Sequence, residues 1–391
     1  MNLKKIGYIL LFLILLKIGC VSDFKAVLPL SMDDILVVEG DIVENTDAIF
    51  YLSKTFSLSD PQRPDAIVTA NVKVIGSDGY QSTPAVSLGD GNYRIAIGEL
   101  DENVSYSLQV EYDGYTYHST LAKPLRTPEI DNISWHQEGG RTGTVHFKVS
   151  THDNDHESSY YRWFYDETWE ISVAIETSSF FDPKTSTYYE DETMPYRYCW
   201  MYNTGGGILV GSTESLVENR VVNLPLYEQP SSGTRFSVLY SVNVTQQAIA
   251  KDAYEHYLSK KSMNENMGGL FTPQPSELIG NIVCTNDPNK RVIGYVNVVK
   301  NTTQKRIFIR NNELAISDYA CETVLADADV RYYLDSLQVS IADFYAMRYR
   351  PAGLPKDATL QYGTWALGTC TDCVMRGGVK LKPDYWPNDH E

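Results

Sequence analysis

Apolar and polar residues alternate in short runs over the first part of the chain, residues 35–125. The clearest run leads into the turn Asp113-Gly114, and its alternating apolar residues are Tyr106, Leu108, Val110 and Tyr112. A period of two buries one face of a strand, and Asp-Gly between two such runs favours a hairpin. With roughly seven runs of this kind, the pattern predicts a β-sandwich over residues 35–125.

The order of elements within this predicted sandwich resembles immunoglobulin-like and carboxypeptidase-regulatory-like modules. An extended opening is followed by residues 89–95, Gly-Asp-Gly-Asn-Tyr-Arg-Ile, and then by a short hairpin. The resemblance implies a spacer or binding domain. Pro124 and Pro128 keep the following backbone extended, so we expect a domain boundary there.

Residues 126–391 predict a second, larger β-sandwich domain with a few inserted helices. Trp163, in an aromatic run, is expected in its core. Residues 246–263 predict a helix, because apolar side chains recur every four residues and Gly268-Gly269 follows. The residues that share one face of this helix are Ile249, Ala253, Tyr257 and Leu258. A short helix is expected near residues 337–347. The fold class is therefore mainly β.

The first 19 residues have the layout of an export signal. Lys4 and Lys5 precede an apolar run at residues 6–16, which is too short to span a bilayer comfortably. Gly19-Cys20 resembles a bacterial lipobox, in which residues 1–19 are removed and Cys20 is acylated, although Lys17 stands where leucine is usual. We expect a lipid anchor at Cys20 and a tether over residues 20–34. Plain signal cleavage and an uncleaved anchor are the alternatives.

Ser22-Asp23 is similar to a shortened form of the acidic tag that directs Bacteroidota lipoproteins to the cell surface. Phe24 and Lys25 interrupt the tag. The predicted location is the outer membrane, with the body of the protein on the cell exterior.

The charge balance excludes one class of partner. The chain has a net charge of −17, and removal of residues 1–19 takes away three lysines and no acid, which leaves −17 − 3 = −20. Nucleic-acid binding depends on basic side chains that neutralise phosphates, so we expect no nucleic-acid partner. The acidity equally disfavours lying flat on an anionic membrane.

Five cysteines follow Cys20. Cys370 and Cys373 form a CxxC motif, and an exported protein favours disulfides. Cys321, Cys370 and Cys373 are therefore disulfide candidates. Unpaired thiols or a metal or redox site are the alternatives, although zinc normally takes four ligands.

Two further groups are weak candidates for binding. Asp153, Asp155 and Glu157 alternate as in calcium loops, but the glycine and distal glutamate of an EF-hand are missing, so a solvated hairpin tip is favoured and no cofactor is expected. Tyr188, Tyr189 and Tyr198 lie in an irregular segment, where ligand contact and core packing are about equally expected.

Motifs for catalysis are missing from the sequence. Gly205-Gly206-Gly207 is not followed by the Lys-Ser/Thr of a phosphate-binding loop, and neither a Gly-x-Ser-x-Gly nor a His-Glu-x-x-His motif occurs. The sequence therefore predicts a protein that is not an enzyme.

Several short segments, in order along the chain, resemble one family. These are Val38-Glu39-Gly40, Gly91-Asn92-Tyr93-Arg94, Tyr161-Arg162-Trp163, Glu167-Thr168-Trp169, Gly280-Asn281-Ile282, Gly294-Tyr295, Cys370-x-Asp372-Cys373, Gly377-Gly378 and Lys382-Pro383-Asp384-Tyr385-Trp386. The family is the Bacteroidota lipoproteins with domain of unknown function 4249, whose members are often encoded beside TonB-dependent receptors. The resemblance implies a location and a neighbour, and it assigns no catalytic residue.

The functional hypothesis combines these points. We expect a non-catalytic outer-membrane lipoprotein that is an accessory or ligand-capture partner of a TonB-dependent transporter. A cell-surface adhesion or envelope-organising protein is the alternative. A surface hydrolase with an unrecognised site is a third hypothesis, with less support from the sequence.

Overall fold

The chain forms two β-sandwiches and a smaller C-terminal layer, and alternate residues along many of the strands are buried. The computed structural model describes residues 35–55, 66–266, 278, 280–316, 320–321, 323–355 and 360–387. The predicted signal peptide, Cys20 and the tether lie outside the described residues. The expectation of a mainly β fold is confirmed. None of the described helices is long and apolar enough to cross a membrane.

The first sandwich begins with eight strands. They are β1 (Leu36–Glu39), β2 (Ile42–Val43), β3 (Asp47–Lys54), β4 (Asn71–Gly76), β5 (Val86–Gly89), β6 (Asn92–Ala96), β7 (Tyr106–Tyr112) and β8 (Tyr115–Ser119). Strands β1, β3, β6 and β5 form one antiparallel run, and β8, β7 and β4 form another. Phe50 and Tyr93 of the first run share a buried core with Val74 and Leu108 of the second, as the alternation predicts.

The second sandwich follows. Its elements are β9 (Ile130–Glu138), β10 (Thr144–His152), β11 (Tyr160–Ser172), β12 (Ser179–Asp182), β13 (Thr187–Glu190), β14 (Tyr198–Thr204), β15 (Leu209–Ser212), β16 (Arg220–Pro230), β17 (Leu239–Ala248) and α1 (Lys251–Asn266). One sheet has the order β16-β10-β9, and the other is built on β11 with β14, β15 and β17. Trp163 is 1% exposed, so its predicted place in the core is confirmed.

Helix α1 begins later than the sequence predicts. Gln246 still belongs to β17, because its side chain accepts a hydrogen bond from Trp163 Nε1 and donates to the Pro128 carbonyl and Thr151 Oγ1. These long-range contacts keep the segment extended, although its apolar spacing suits a helix. Within α1, Ala253 and Tyr257 are buried as expected, while Leu258 is 40% exposed.

The chain then returns to the first sandwich through β18 (Ile282–Cys284), β19 (Val292–Tyr295) and β20 (Val298–Val299). Strand β18 pairs antiparallel with β8, whereas β19 and β20 pair parallel with β1 and β2. The first sandwich is therefore completed by residues that the sequence assigned to the second domain. The prediction that residues 126–391 form one domain missed this return.

The remaining elements complete the second sandwich and form the C-terminal layer. They are β21 (Thr303–Arg310), β22 (Val324–Leu325), α2 (Asp327–Leu337), α3 (Ile341–Ala346), β23 (Tyr349–Gly353), β24 (Thr364–Leu367) and α4 (Gly368–Thr371), with 3-10 turns at Gly140–Thr142, Asn311–Glu313 and Val374–Arg376. Strand β21 pairs with β17, and β22-β24-β23 form a small sheet. This layer packs around Phe181, Phe344 and Trp365. The short helix predicted near residues 337–347 is confirmed as α3, and α2 precedes it.

Two disulfides involve the C-terminal layer, and one of them attaches it to the second sandwich. Cys370 bonds to Cys321, and Cys373 bonds to Cys199 of β14, so the two cysteines of the CxxC motif have different partners. The second bond closes a separation of 174 residues, and long closed loops gain most from the restriction of the unfolded chain. Cys284 is a buried free thiol in the first sandwich.

A substitution at Gly294 can test whether the chain returns to the first sandwich. Gly294 lies opposite Val38 with a φ of +141°, and a Cβ atom there would collide with the Val38 backbone oxygen. We expect Gly294→Ala to lower the free energy of unfolding by about 3 kcal/mol, measured by urea denaturation. The matched control is Gly114→Ala, which has a φ of +77° but open space around a Cβ, and it should cost only about 1 kcal/mol. Equal losses in the two variants would contradict the β1–β19 pairing.

Candidate functional site: a cleft between the two sandwiches

A cleft of about 380 Å³ lies where β1 and β19 of the first sandwich meet β11 and α1 of the second. The charged or aromatic side chains that line it are Glu39, Asp41, Arg162, Phe164, His256, Tyr257, Lys260 and Tyr295. Gly205, Gly206 and Gly207 form part of its wall. The glycine run, which lacks the sequence of a phosphate-binding loop, thus borders the site.

The spacing of the lining residues along β11 and α1 places their side chains on the same side of each element. Arg162 and Phe164 are two positions apart on β11, so their side chains share a face of the strand. Tyr257 and Lys260 are three positions apart on α1, which places them on one side of the helix. Asp41 occupies the link between β1 and β2.

Arg162 is held between two aromatic rings. The carbon of its guanidinium group lies 4.3 Å from the ring centre of Phe164 and 4.2 Å from that of Tyr257. Its Nη1 atom donates to the Tyr257 hydroxyl at 2.8 Å and lies 3.5 Å from Asp41 Oδ2. A planar, delocalised cation suits such a stack, and the fixed geometry makes this arginine a rigid part of the cleft.

Asp41 joins segments from both sandwiches through one carboxylate. Its Oδ1 atom accepts the backbone N–H of Asn297 at 3.2 Å and the side-chain amide of Asn297 at 2.6 Å. Its Oδ2 atom accepts from Gln247 Nε2 at 3.3 Å in addition to Arg162. The side chain is only 16% exposed, so these donors replace water around the charge.

Both tyrosines at the cleft are neutral near pH 7. Burial is the main cause that raises the pKa of Tyr257, and the charge of Asp41 adds to it. Burial also raises the pKa of Tyr295, with a hydrogen bond to Asp252 acting in the same direction. His256 packs beside both, with ring centres 5.4 Å from Tyr257 and 5.3 Å from Tyr295. The phenols therefore contribute polar and aromatic contacts without charge.

At the mouth of the cleft, Lys260 Nζ lies 2.9 Å from Glu39 Oε1. This ion pair is largely exposed, so it is weak and can open for another anion. The described lining residues contain no serine, threonine or cysteine beside His256. The lining offers an ammonium group, aromatic faces and a fixed guanidinium group.

The predicted calcium ligands lie elsewhere. Asp153, Asp155 and Glu157 all line a cavity of about 150 Å³ near the link between the sandwiches. The carboxylate of Asp153 is taken up by two backbone N–H groups, those of Asp155 at 3.1 Å and Ser158 at 2.8 Å. Asp153 thus shapes its own loop, and calcium binding stays a prediction.

The three candidate tyrosines are not brought together. Tyr188 donates to the Tyr362 carbonyl at 3.0 Å, and burial raises its pKa to about 12. Tyr189, its neighbour on β13, points to the other side and lines a separate cavity of about 70 Å³. Tyr198 lies on β14, with its ring centre 4.8 Å from the guanidinium carbon of Arg197. Tyr188 therefore packs in the C-terminal core, and only Tyr189 borders a cavity.

The buried carboxylate of Glu167 has a structural role. Glu167 is fully enclosed and accepts hydrogen bonds from Tyr240 at 2.6 Å, Asn203 at 2.7 Å and Gln229 at 3.3 Å. Arg235 Nε lies 3.3 Å from it. With every direction occupied, this carboxylate holds the sandwich together and has no free side to meet a substrate.

Sequence reasoning missed the cleft. In the sequence, Arg162 belongs only to a family-like segment, and Tyr257 is predicted only as an apolar helix position. A usable signal was the single cation inside the aromatic run at residues 160–165, since a charge on an otherwise buried strand needs a partner. Asp41 gave no such signal among 50 acidic residues.

Comparison with known protein families identifies a match. The sequence model of a family described as "Domain of unknown function (DUF4249)" matches residues 21–305, which is more than half of the chain. The matched range contains all of the cleft residues named above. A search of curated proteins found no match.

The role of Asp41 in joining the sandwiches can be measured. Asp41→Ala leaves Arg162, Gln247 and Asn297 without their shared acceptor, so we expect the free energy of unfolding to fall by roughly 2–4 kcal/mol in urea denaturation. Asp47→Ala is the control, because Asp47 is exposed and its pair with Arg94 is long, at 4.0 Å. Its urea midpoint should match the parent protein. A midpoint equally unchanged in Asp41→Ala would refute the proposed junction.

Proposed function

The chain belongs to the DUF4249 family, and from that premise we propose that it is a lipid-anchored protein of the Bacteroidota outer membrane that captures a small ligand for a TonB-dependent transporter. The cleft is the observation that carries the capture role. It combines a rigid cation, aromatic surfaces and an exchangeable ion pair in one opening between two sandwiches.

The chemistry of the cleft indicates the kind of ligand. An anionic group can replace Glu39 beside Lys260, while apolar parts of the ligand contact Phe164 and Tyr257. The body of the protein is strongly acidic, so an anion finds few attractive surfaces outside such a local cluster of cations. We infer a small ligand that carries a carboxylate or similar anion and an apolar part.

The position of the anchor supports delivery at the membrane. Val37, which lines the cleft, is 17 positions after Cys20. A chain of that length spans at most about 60 Å when fully extended. A lipid on Cys20 would thus keep the cleft within reach of a neighbouring membrane receptor.

Anchoring and partnership can be tested in one experiment. We expect the parent protein to fractionate with the outer membrane and to recover a TonB-dependent receptor after mild detergent extraction. Cys20→Ala should lose the lipid and release the protein from the membrane fraction, because the acyl chains supply the membrane affinity. Recovery of no receptor would count against the partnership. Binding to cells or matrix that persists after deletion of the receptor would favour the adhesion alternative.

Capture by the cleft needs its own test. Lys260→Gln removes the cation at the mouth, and we expect about tenfold less small molecule to be released on heating the protein purified from membranes, measured by mass spectrometry. Lys251→Gln is the matched control, because Lys251 lies on the same helix and pairs with Glu214 outside the cleft. Its ligand content should equal that of the parent. Equal loss in both variants, or no ligand in the parent, would contradict capture in the cleft.

A further inference from the structure

Two imidazoles and a carboxylate meet on the outer face of the sheet β16-β10-β9. His136 of β9 lies directly opposite His146 of β10, and their rings stack with centres 4.9 Å apart. Glu138 is two positions after His136, so it shares that face and lies diagonal to His146. All three side chains are at least partly exposed to solvent.

The three side chains are close enough to share one ion. One ligand atom from each of His136, Glu138 and His146 lies within 4.8 Å of the other two. Within the group, His146 Nε2 lies 3.6 Å from Glu138 Oε2. Zinc ligands stand about 2.0–2.2 Å from the metal, which puts tetrahedral ligands about 3.3 Å from one another. Small side-chain rotations therefore suffice to close the group around an ion.

Glu228 prepares His146 for this role. It lies opposite His146 on β16, and its Oε2 atom is 3.2 Å from His146 Nδ1. A carboxylate beside Nδ1 accepts a hydrogen bond from the Nδ1–H group. The lone pair of the neutral ring is then on Nε2, the nitrogen that lies near Glu138. This arrangement of carboxylate, histidine and metal is the usual support for a metal-bound imidazole.

We propose that His136, Glu138 and His146 form a binding site for zinc or a similar divalent transition metal, oriented by Glu228. Imidazole nitrogens with a carboxylate select such ions over calcium and magnesium, which prefer all-oxygen sites. Three protein ligands leave a coordination position open to water or to a group from another molecule. None of the four residues lines the cleft, so the site is independent of ligand capture there.

The test is a titration of zinc into the full mature chain, without a polyhistidine tag, monitored by isothermal titration calorimetry. We expect one zinc ion per chain, and an excess of calcium should leave the zinc affinity unchanged. His136→Ala, His146→Ala and Glu138→Gln should each weaken zinc binding at least about tenfold, and Glu228→Gln about 10–100-fold because it removes the orienting carboxylate. Circular dichroism should be unchanged in all four variants, since the side chains lie on the outer face of the sheet.

His152→Ala is the matched control. His152 lies on the same strand as His146 and pairs with Asp131 of β9 at 2.7 Å, but the pair offers only one imidazole and one carboxylate. Its zinc affinity should equal that of the parent. X-ray absorption of the zinc complex should show two imidazoles at the metal. Failure of the parent to bind zinc, or full affinity in the double variant His136→Ala/His146→Ala, would overturn the proposal.

Discussion

The parallel pairing of β1 with β19 is the constraint on which the rest of the structure depends. Parallel neighbours cannot be joined by a tight turn, so a long connection must separate them in the chain. Here that connection contains most of the second sandwich and α1. Completing the first sandwich therefore brings together the two points from which the chain enters the second sandwich, where Leu125 pairs with Val299. The two sandwiches meet because of this return, and the cleft lies where they meet.

The cleft is polar for the same reason. At a junction between two separate cores, backbone and side-chain groups from several segments must find partners, and Asp41 supplies acceptors for three of them. A partly buried carboxylate is tolerated when its donors include a cation, and Arg162 is that cation. Arg162 is then fixed by Phe164 and Tyr257, so the residues that join the sandwiches also form the wall of the opening.

The sequence predicts features that depend on neighbouring residues and misses those that depend on contacts between distant residues. Alternating burial is written within single strands, so the runs around Tyr106 and Trp163 predicted strands and core positions correctly. The start of α1 was wrong because side-chain contacts of Gln246 with distant residues extend β17. The contact between Asp41 and Asn297 joins positions 256 apart, and the cysteines of the CxxC motif find separate distant partners. Periodicity carries no information about pairings of that range.

The acidic surface gives the two proposed sites opposite electrostatic settings. A body with a large negative charge attracts divalent cations and repels anions at long range. The group of His136, Glu138 and His146 works with this field, because the excess of carboxylates, Glu228 among them, favours a cation at its open face. The same field opposes the entry of an anion into the cleft. The affinity of the cleft for an anion must therefore come from close contacts such as those with Lys260, which act over a few ångströms and are less screened by salt inside a cleft. An anionic ligand would therefore be selected at short range, after it has entered the opening.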